Sequence, residues 1–462
     1  MVSNRGTSNP QVVRGLGKAP NCWERRSVIF FANLLSLFFG NRGGARLLAE
    51  EIRCVDSYGG RLLPVLGLIF GGKDNLLVLE RSPEPALTGF FRDLGIGLPR
   101  IEILTRDEFL ELGRSLKHRR SPEHPFIGRV RDEPAGTIDG FVTDKVIGRI
   151  AAKLGKQTLS TPEGSHRGNN KLLLHQHLEA TGLPTFPTRL AASAAEIPGA
   201  LEALGREGHA HAVIKSQIGA SGIGLLKTPT DQVPQDLPGA FFHEGPCMVQ
   251  AWLETGTRGI EAILSPSVQI FLSNEAVHLY DLTEQILDPA ASIHQGNESP
   301  PSYLDQHPGL ADELLGQAGE AASWLHRQGY RGAASVDFLV TVRADKVITV
   351  YVCEINARVT GATYPSVLAR HFRPHGSWRM RNLELAEPME GAELLDRLHR
   401  QDDLFERKKL RGILPVNFNL DEDGLVRKGQ FLAIAEGLAE CRHLLDAARK
   451  DLPVSWDYAH DR

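Results

Sequence analysis

Three oxygen-bearing side chains, Asp337, Glu354 and Asn356, lie in two apolar segments of the chain. Because side chains two residues apart in a strand share a face, Glu354 and Asn356 are expected to point the same way. A two-residue loop between the segments would place Asp337 opposite Val352 and one diagonal step from Glu354. Oxygen ligands without histidine or cysteine suit Mg²⁺, with Mn²⁺ as an alternative ion. The pattern predicts a magnesium site on a two-stranded ribbon; a solvated face with acids for solubility is the alternative.

Two glycine-rich segments have the composition of phosphate-binding loops. In residues 67–74 (GLIFGGKD), an Asp replaces the Ser or Thr that would hold Mg²⁺, which predicts a strand that ends in a Gly-Gly turn. Residues 217–224 (QIGASGIG) match neither the Walker nor the dinucleotide pattern. With Lys215 in the strand before them, they could still form a hairpin over a phosphate, offering backbone N–H groups and the Ser221 hydroxyl. An ordinary surface turn is the alternative.

Arg358 follows Asn356 by two residues and is expected on the same side of the chain. A cation there can stabilise a transferring phosphoryl group or an oxyanion, or it can act as the counter-ion of Glu354. No Ser or Cys triad pattern accompanies it. The five cysteines include no C-x-x-C spacing, which predicts core residues in a reducing, cytoplasmic protein.

The composition narrows the class of protein. A length of 462 residues predicts two to four domains. With 52 Lys and Arg against 56 Asp and Glu, the net charge of −4 gives no reason to expect a nucleic acid or membrane partner. The apolar run at residues 28–39 is too short to span a bilayer and lacks a signal-peptide cleavage pattern.

The order of apolar runs and breakers predicts the elements that position these residues. Apolar runs alternating with helical stretches over 27–140 predict an α/β layer with a mostly parallel sheet. Residues 1–22 are expected to form a loose arm, and residues 160–170 a linker. Further predictions are a helix at 171–181, strands at 212–216, 224–228, 248–254, 335–340 and 347–357, helical stretches at 309–328, 382–406 and 433–450, and a hairpin around Asp423-Gly424.

Five separated elements occur in an order that is typical of one family. They are Lys171 at a helix start, Lys215 before the glycine hairpin, VQAWLE at 249–254, DF at 337–338 and EINARVTG at 354–361. Together they resemble the ATP-grasp superfamily of carboxylate-amine ligases over residues 156–380. ATP is the cofactor that this resemblance implies, alongside the magnesium ion.

The resemblance implies a role for each matching residue. The roles are phosphate contact for Lys171 and Lys215 under a hairpin with Gly219, Ser221 and Gly222; adenine recognition for Gln250, Ala251 and Leu253; ribose binding for Glu261; metal binding for Asp337, Glu354 and Asn356; substrate binding for Arg358, Thr360 and Gly361; and catalysis for Arg358 and Lys215. One departure is Gln250, which stands where many members carry Glu.

The resemblance also implies a multidomain α/β and α+β fold, with an N-terminal α/β pre-ATP-grasp domain, a two-lobed ATP-grasp fold and a small C-terminal cap. The expected limits are 1–22 for the arm, 23–155 for the pre-ATP-grasp domain, 156–248 for the small lobe, 249–380 for the large lobe and 381–462 for the cap. Within the superfamily, the chain resembles the pheganomycin-type peptide ligases of antibiotic biosynthesis.

The implied activity is formation of an acyl phosphate from ATP and a small carboxylic acid, followed by attack of an amine from an amino acid or peptide. A thiol ligase, a carboxylase and an inactive nucleotide-binding protein are the alternatives. Basic clusters at 117–120, 370–381 and 407–411 could form a groove for an acidic acceptor, or they could be solvated faces. A homodimer is left open.

Overall fold

The computed structural model describes residues 9–51, 59–117, 122–220, 222–235, 237–287 and 294–454. The first described element is a strand where a loose arm was expected. Strand β1 (Gln11–Arg14) pairs in parallel with residues 276–279 of a distant strand. The expectation of a loose arm is wrong for this segment, because a sheet edge that no local pattern reveals satisfies its backbone groups.

A five-stranded parallel sheet follows in the order β4-β3-β2-β5-β6, which confirms the predicted N-terminal α/β layer. Strands β2 and β3 are buried on both faces, as parallel strands between helices require. The elements of this unit are β2 (Val28–Phe31), α1 (Arg42–Glu51), α2 (Leu66–Ile69), β3 (Leu76–Leu79), α3 (Pro85–Asp93), β4 (Arg100–Ile103), α4 (Arg106–Ser115), α5 (Pro125–Val130), β5 (Thr137–Gly140), α6 (Lys145–Leu154) and β6 (Gln157–Thr158).

Residues 160–170 form no linker. They contain α7 (Pro162–Gly168), which Thr161 caps by accepting a hydrogen bond from the Gly164 N–H at 2.9 Å. The same Thr-Pro pair that reads as a turn is also a helix start, and tertiary burial of Ser165 selects the helix. Helix α8 (Lys171–Ala180) follows with Asn170 as its N-cap, which confirms the predicted helix at 171–181.

The second sheet is four-stranded and antiparallel, in the order β7-β10-β8-β9. Its elements are β7 (Thr188–Ala191), α9 (Ile197–Arg206), β8 (His211–Ala220), β9 (Ile223–Pro229) and β10 (Cys247–Ala251). Ile214 and Val249 pack beneath α9 with Leu201, so alternation turns Lys215 and Gln250 to the opposite face. The predicted antiparallel pairing of 212–216 with 224–228 is confirmed.

The third sheet has ten strands, with β16 paired to β15 and β1 to β13 beside the path β11-β15-β12-β13-β14-β17-β19-β18. Its elements are β11 (Ile260–Leu264), β12 (Pro266–Leu272), β13 (Ala276–Leu287), β14 (His294–Ser299), α10 (Leu310–Arg327), β15 (Gly332–Arg343), β16 (Ile348–Asn356), α11 (Thr363–Phe372), β17 (Ser377–Met389), α12 (Gly391–Arg400), β18 (Gly412–Leu420), β19 (Val426–Ala435) and α13 (Leu438–Asp451).

The predicted helical stretch at 382–406 is wrong in its first third. Residues 382–389 belong to β17, and only Gly391–Arg400 is helical. The Leu, Glu and Ala residues of this stretch favour a helix by propensity, whereas the two-residue spacing of the buried Leu383 and Leu385 fits a strand, and Leu383 pairs with Gly429 of β19. The boundaries expected at 248/249 and 380/381 fall inside strands β10 and β17. Across the described ranges, no helix is both long and apolar enough to cross a membrane.

Candidate active site

The ribbon of β15 and β16 brings the predicted metal residues closer together than expected. Asp337 pairs directly with Glu354, whereas Val352 pairs with Phe338. The expected placement of Asp337 opposite Val352 is therefore wrong. A loop at residues 344–347 and a β-bulge between Asp337 and Phe338 each shift the register, and the bulge turns both carboxylates to one side.

Asp337 is held by three hydrogen bonds. Its Oδ1 accepts from Ser267 Oγ at 2.6 Å and from Ser335 Oγ at 3.1 Å, and its Oδ2 accepts from Asn356 Nδ2 at 2.7 Å. Burial, with repulsion from Glu354, raises the pKa of Asp337, and the two serine hydroxyls oppose that shift. A buried acid of this kind favours a cation beside it.

Glu354 faces the cation at the start of α8. Lys171 Nζ lies 3.0 Å from Glu354 Oε2 and donates to the Gly219 carbonyl at 3.2 Å. Burial opposes the charge of Glu354, but the cations of Lys171 and Arg358 outweigh burial and lower its pKa. One lysine therefore joins the metal strand to the glycine hairpin.

Lys215 on β8 contacts the neighbouring strand β10. Its Nζ donates to Gln250 Oε1 at 2.7 Å and lies 5.8 Å from the centre of the Phe186 ring. Gln250 in turn donates from Nε2 to Thr188 Oγ1 at 3.0 Å. Burial lowers the pKa of Lys215, against the opposing effects of Cys353 and Glu354. The amide at position 250 thus orients this lysine without neutralising it.

A cleft opens between the four-stranded sheet and the β16–α8 face. Its walls combine the cations of Lys171 and Lys215 with flat or apolar groups, namely Leu174, His175, Phe186, Met248, Val352 and Cys353. Such walls suit a heteroaromatic ring with a phosphate tail. His175 and Phe186 were not predicted: His175 could have been found because it lies one helical turn after Lys171, whereas nothing local marks Phe186.

The glycine hairpin needs its glycines. Gly222 and Gly224 have φ of +77° and +82°, a region that other residues seldom adopt, and a Cβ on Gly219 would lie 2.4 Å from the Ile223 carbonyl oxygen. Ser221, the predicted hydroxyl donor, lies outside the described residues.

The tip of this hairpin packs on the N-terminal unit. We call this contact the tip cluster; it consists of Ala220 and Ile223 with Leu34, Leu35, Leu37, Phe38, Phe39, Ala45, Leu48 and Val142. Asn41 Nδ2 donates to the Ala240 carbonyl at 3.0 Å beside it. The apolar run at 28–39 therefore supplies β2 and, beyond it, the surface that receives the hairpin.

Arg358 leaves the end of β16 toward α7. Its Nη1 donates to Asn169 Oδ1 at 2.7 Å, and Asn169 Nδ2 donates to the Ala357 carbonyl at 3.3 Å. In the next turn, Thr360 donates from Oγ1 to Gln269 Oε1 at 3.3 Å, and Gly361 lies against His294. The predicted substrate residues thus form one loop beside the carboxylates.

Other predicted residues lie apart from this cluster. Glu261 is half exposed on β11, 3.7 Å from Lys346. Ala251 packs on the α9 side of its sheet, and its N–H donates to the Pro187 carbonyl at 2.9 Å. Neither Ala251 nor Leu253 is among the residues that line the cleft. Ribose binding by Glu261 and adenine recognition by Ala251 and Leu253 stay predictions.

The donor set fits a magnesium ion. Among the described residues, no group of three or more His, Cys, Asp and Glu side chains could hold a metal. The set here is instead two carboxylates and the Asn356 amide, all oxygen donors in a hydrogen-bonded frame. Magnesium binds through one or two carboxylates and keeps further positions for phosphates and water.

In the part of the chain that the structure describes, several members of the basic clusters are engaged in ion pairs. Arg370 is buried against Asp281, and Arg379 and Arg373 pair with Glu298 and Glu436. In the 407–411 segment, Lys409 pairs with Asp402 and Glu406, and Arg411 with Glu440. These charges are neutralised locally, so the second and third clusters fit structural ion pairs better than an acceptor site. Residues 118–120 of the first cluster lie outside the described residues.

No family model matches the chain. A butirosin acyl-carrier protein–L-glutamate ligase of Niallia circulans is 33% identical over 101 residues, a segment that covers 22% of this chain and 22% of that ligase. The chain is also similar to a biotin carboxylase–ATP complex from Campylobacter jejuni, with a TM-score of 0.55 and 13% identity over 93% of this chain and 92% of the other. The chain has the ATP-grasp fold.

Two further structures support that assignment. N5-carboxyaminoimidazole ribonucleotide synthetase from Thermus thermophilus gives a TM-score of 0.53 at 15% identity, over 93% of this chain and 100% of the other. The biotin carboxylase domain of a Hydrogenobacter thermophilus 2-oxoglutarate carboxylase, in complex with MgADP, gives a TM-score of 0.54 at 10% identity. The match covers 93% of this chain and 90% of the other. The predicted multidomain α/β and α+β class is confirmed.

Proposed function

We propose that this protein is an ATP-dependent ligase that activates a carboxylate as an acyl phosphate and joins it to the amine of an amino acid or peptide. The observation that carries the proposal is the convergence of three cations, Lys171, Lys215 and Arg358, on the paired carboxylates Asp337 and Glu354, beside a cleft that Lys171 and Lys215 line. Phosphoryl transfer needs this combination of positioning and charge.

Each group has a part in that chemistry. Asp337, Glu354 and Asn356 would hold Mg²⁺, which offsets phosphate charge when bound. Lys171 bridges Glu354 and the hairpin carbonyl, so it can exchange those partners for a nucleotide phosphate. Arg358 is fixed by Asn169 and lies two residues before Thr360 in the chain.

The proposed reaction has two steps, formation of an acyl phosphate and its conversion to an amide. A carboxylate oxygen of the acid bonds to the γ-phosphorus while the bond to the β,γ-bridging oxygen breaks, which releases ADP. The amine then attacks the acyl carbon, Arg358 stabilises the oxyanion, and inorganic phosphate leaves as the amide forms. The amine proton is lost to phosphate or solvent, so no protein nucleophile is required.

The acceptor is inferred from similarity. The resemblance to pheganomycin-type peptide ligases supports an amino acid or peptide amine and a place in natural-product biosynthesis. The match to the Niallia circulans enzyme, whose name specifies L-glutamate and an acyl-carrier protein, favours a second candidate in which one partner is attached to a carrier protein.

Labelled acids test the proposal. The protein is incubated with Mg²⁺, ATP and a panel of ¹⁸O-carboxylic acids, with amino acids, peptides, a thiol or an acyl-carrier protein as acceptor. We expect an amide product together with one ¹⁸O atom in the released phosphate. A thioester product would indicate the thiol ligase, a bicarbonate-dependent product the carboxylase, and the absence of ADP with every combination an inactive nucleotide-binding protein.

A further inference from the structure

Strand β12 carries two polar residues where its neighbours form core. Ser267 and Gln269 are 2% and 0% exposed. Both lie on the face of β12 that is turned to the site, because Ser267 pairs with Asp337 and Gln269 with Ser335. No predicted role was attached to either residue.

Their hydrogen bonds run in one direction through the site. Thr360 Oγ1 donates to Gln269 Oε1 at 3.3 Å, Gln269 Nε2 donates to Ser267 Oγ at 2.9 Å, and Ser267 Oγ donates to Asp337 Oδ1 at 2.6 Å. At its far end, Thr360 is fixed by Thr363, whose Oγ1 accepts from the Thr360 N–H at 3.0 Å. We call this chain of contacts the relay.

Burying a glutamine amide is costly unless its donors and acceptors are satisfied. Here the described partners of the Gln269 side chain are two residues that reach the two halves of the site. In a low-dielectric interior such a network polarises along its length and admits few geometries. A leucine would fill the same space without linking anything.

We propose that Gln269 and Ser267 are positioning residues that fix the Thr360 loop relative to the metal carboxylate Asp337. The relay sets the distance between the acid to be activated, held by the loop, and the phosphoryl group, held at the carboxylates. This inference rests on the proposed ligase function, and it assigns Gln269 no contact with a substrate.

Gln269→Leu removes both side-chain hydrogen bonds of this residue. We expect KM for the acid to rise and kcat to fall, each by about 10-fold or more, while KM for ATP changes by less than about twofold. Ser267→Ala removes the donor to Asp337 and should raise the Mg²⁺ concentration needed for half-maximal rate. Thr360→Val should change KM for the acid and kcat in the same way as Gln269→Leu. Thr360→Ser keeps the hydroxyl and should restore both values.

Thr283→Val is the matched control. Thr283 is 0% exposed on the neighbouring strand, and its Oγ1 donates to the Ser267 carbonyl at 3.2 Å, outside the relay. The proposal is overturned if Gln269→Leu and Thr283→Val lower the melting temperature equally and have the same KM and kcat. The role of Gln269 would then be structural.

Metal binding separates this inference from the proposed function. Mn²⁺ binding is measured by electron paramagnetic resonance in the presence of ADP for the wild type, Ser267→Ala and Thr283→Val. Weaker binding in Ser267→Ala alone supports the relay even if no acid and amine are ever joined. Equal Mn²⁺ binding in all three proteins overturns the proposed role of Ser267 in positioning Asp337. If the wild type makes no product in any assay, only the ligase proposal is overturned.

Discussion

At the residue scale, the proposed function gives Glu354 two roles. It is one of the two carboxylates that would hold Mg²⁺, and it pairs with Lys171 at 3.0 Å. Replacing its charge therefore affects the metal and the phosphate lysine together, although the side chain keeps its volume. Lys171 and Arg358 stabilise the Glu354 charge against burial, whereas its repulsion of Asp337 acts the other way, so the effects of losing that charge on the fold partly cancel.

Glu354→Gln is expected to lower ADP formation by more than about 100-fold, because a metal ligand is lost. The melting temperature should stay near that of the wild type. Asp345→Asn, in the exposed loop that joins the same two strands, is the control and should keep full activity. Near wild-type ADP release by Glu354→Gln would contradict the metal assignment.

Arg358→Ala should lower turnover by about 10²–10³-fold with a much smaller change in KM for ATP, because its charge acts where the oxyanion develops. Asn169→Ala should act in the same direction but less, since Asn169 holds the guanidinium at 2.7 Å without reaching the substrate. Initial rates at varied ATP and acid concentrations measure both effects. Turnover that Arg358→Ala leaves unchanged would remove this role.

The site could be predicted from sequence only where its geometry is local. Glu354 and Asn356 share a face because strand alternation requires it. The partner of Asp337 could not be predicted, since a bulge and a longer loop changed the register without any mark in the sequence. Gln269 was missed because its contacts come from Thr360, 91 residues away.

At the element scale, one buried carboxylate joins four elements of the large sheet. Asp281 on β13 accepts hydrogen bonds from Arg370 on α11, Ser299 on β14 and Trp378 on β17, and from Ser366 on α11. Arg370 and Asp281 are 4% and 2% exposed in their side chains. The pair therefore fixes the helix that follows the substrate loop.

Arg370→Leu should lower the unfolding free energy by about 3–5 kcal/mol, because it leaves the Asp281 charge buried without its cation. Arg373→Leu removes a pair whose partner, Glu436, is 88% exposed, and should cost about 1 kcal/mol or less. Thermal unfolding of both variants at matched pH makes the comparison. Equal melting temperatures would show that the buried pair is not needed.

Elements with one dominant pattern were predictable, and ambiguous ones were not. Strands β2 and β3 are short apolar runs between breakers, and the structure confirms both, whereas the predicted strand in the apolar run at 64–70 is wrong because this run contains the helix Leu66–Ile69. Residues 382–389 and 160–170 carry signals for two states at once, so contacts with β19 and the burial of Ser165 decided between them. Local sequence holds neither contact.

At the scale of the whole molecule, the tip cluster connects the glycine hairpin to the N-terminal unit. Ile223 is partly buried there against Phe38, which is 2% exposed. The hairpin that covers the predicted phosphate position is thus also an interdomain contact. Closure over ATP and docking on the N-terminal unit are expected to occur together.

Ile223→Ser should raise the Kd for ATP about fivefold, since a partly buried isoleucine contributes about 1 kcal/mol to the docked hairpin. Val233→Ser is the control, because Val233 is 52% exposed in the same lobe and belongs to no described apolar cluster. Equilibrium ATP binding measured by calorimetry tests both variants. Equal affinities would show that the hairpin closes without the tip cluster.

The tip cluster has a thermal consequence. If release of ADP requires the hairpin to lift, this movement exposes Ile223 and the apolar surface of α1 and its preceding turn to water. Hydration of apolar surface raises heat capacity, so the activation enthalpy of release grows with temperature. If release limits turnover, an Arrhenius plot of the rate should curve, and Ile223→Ser should straighten it.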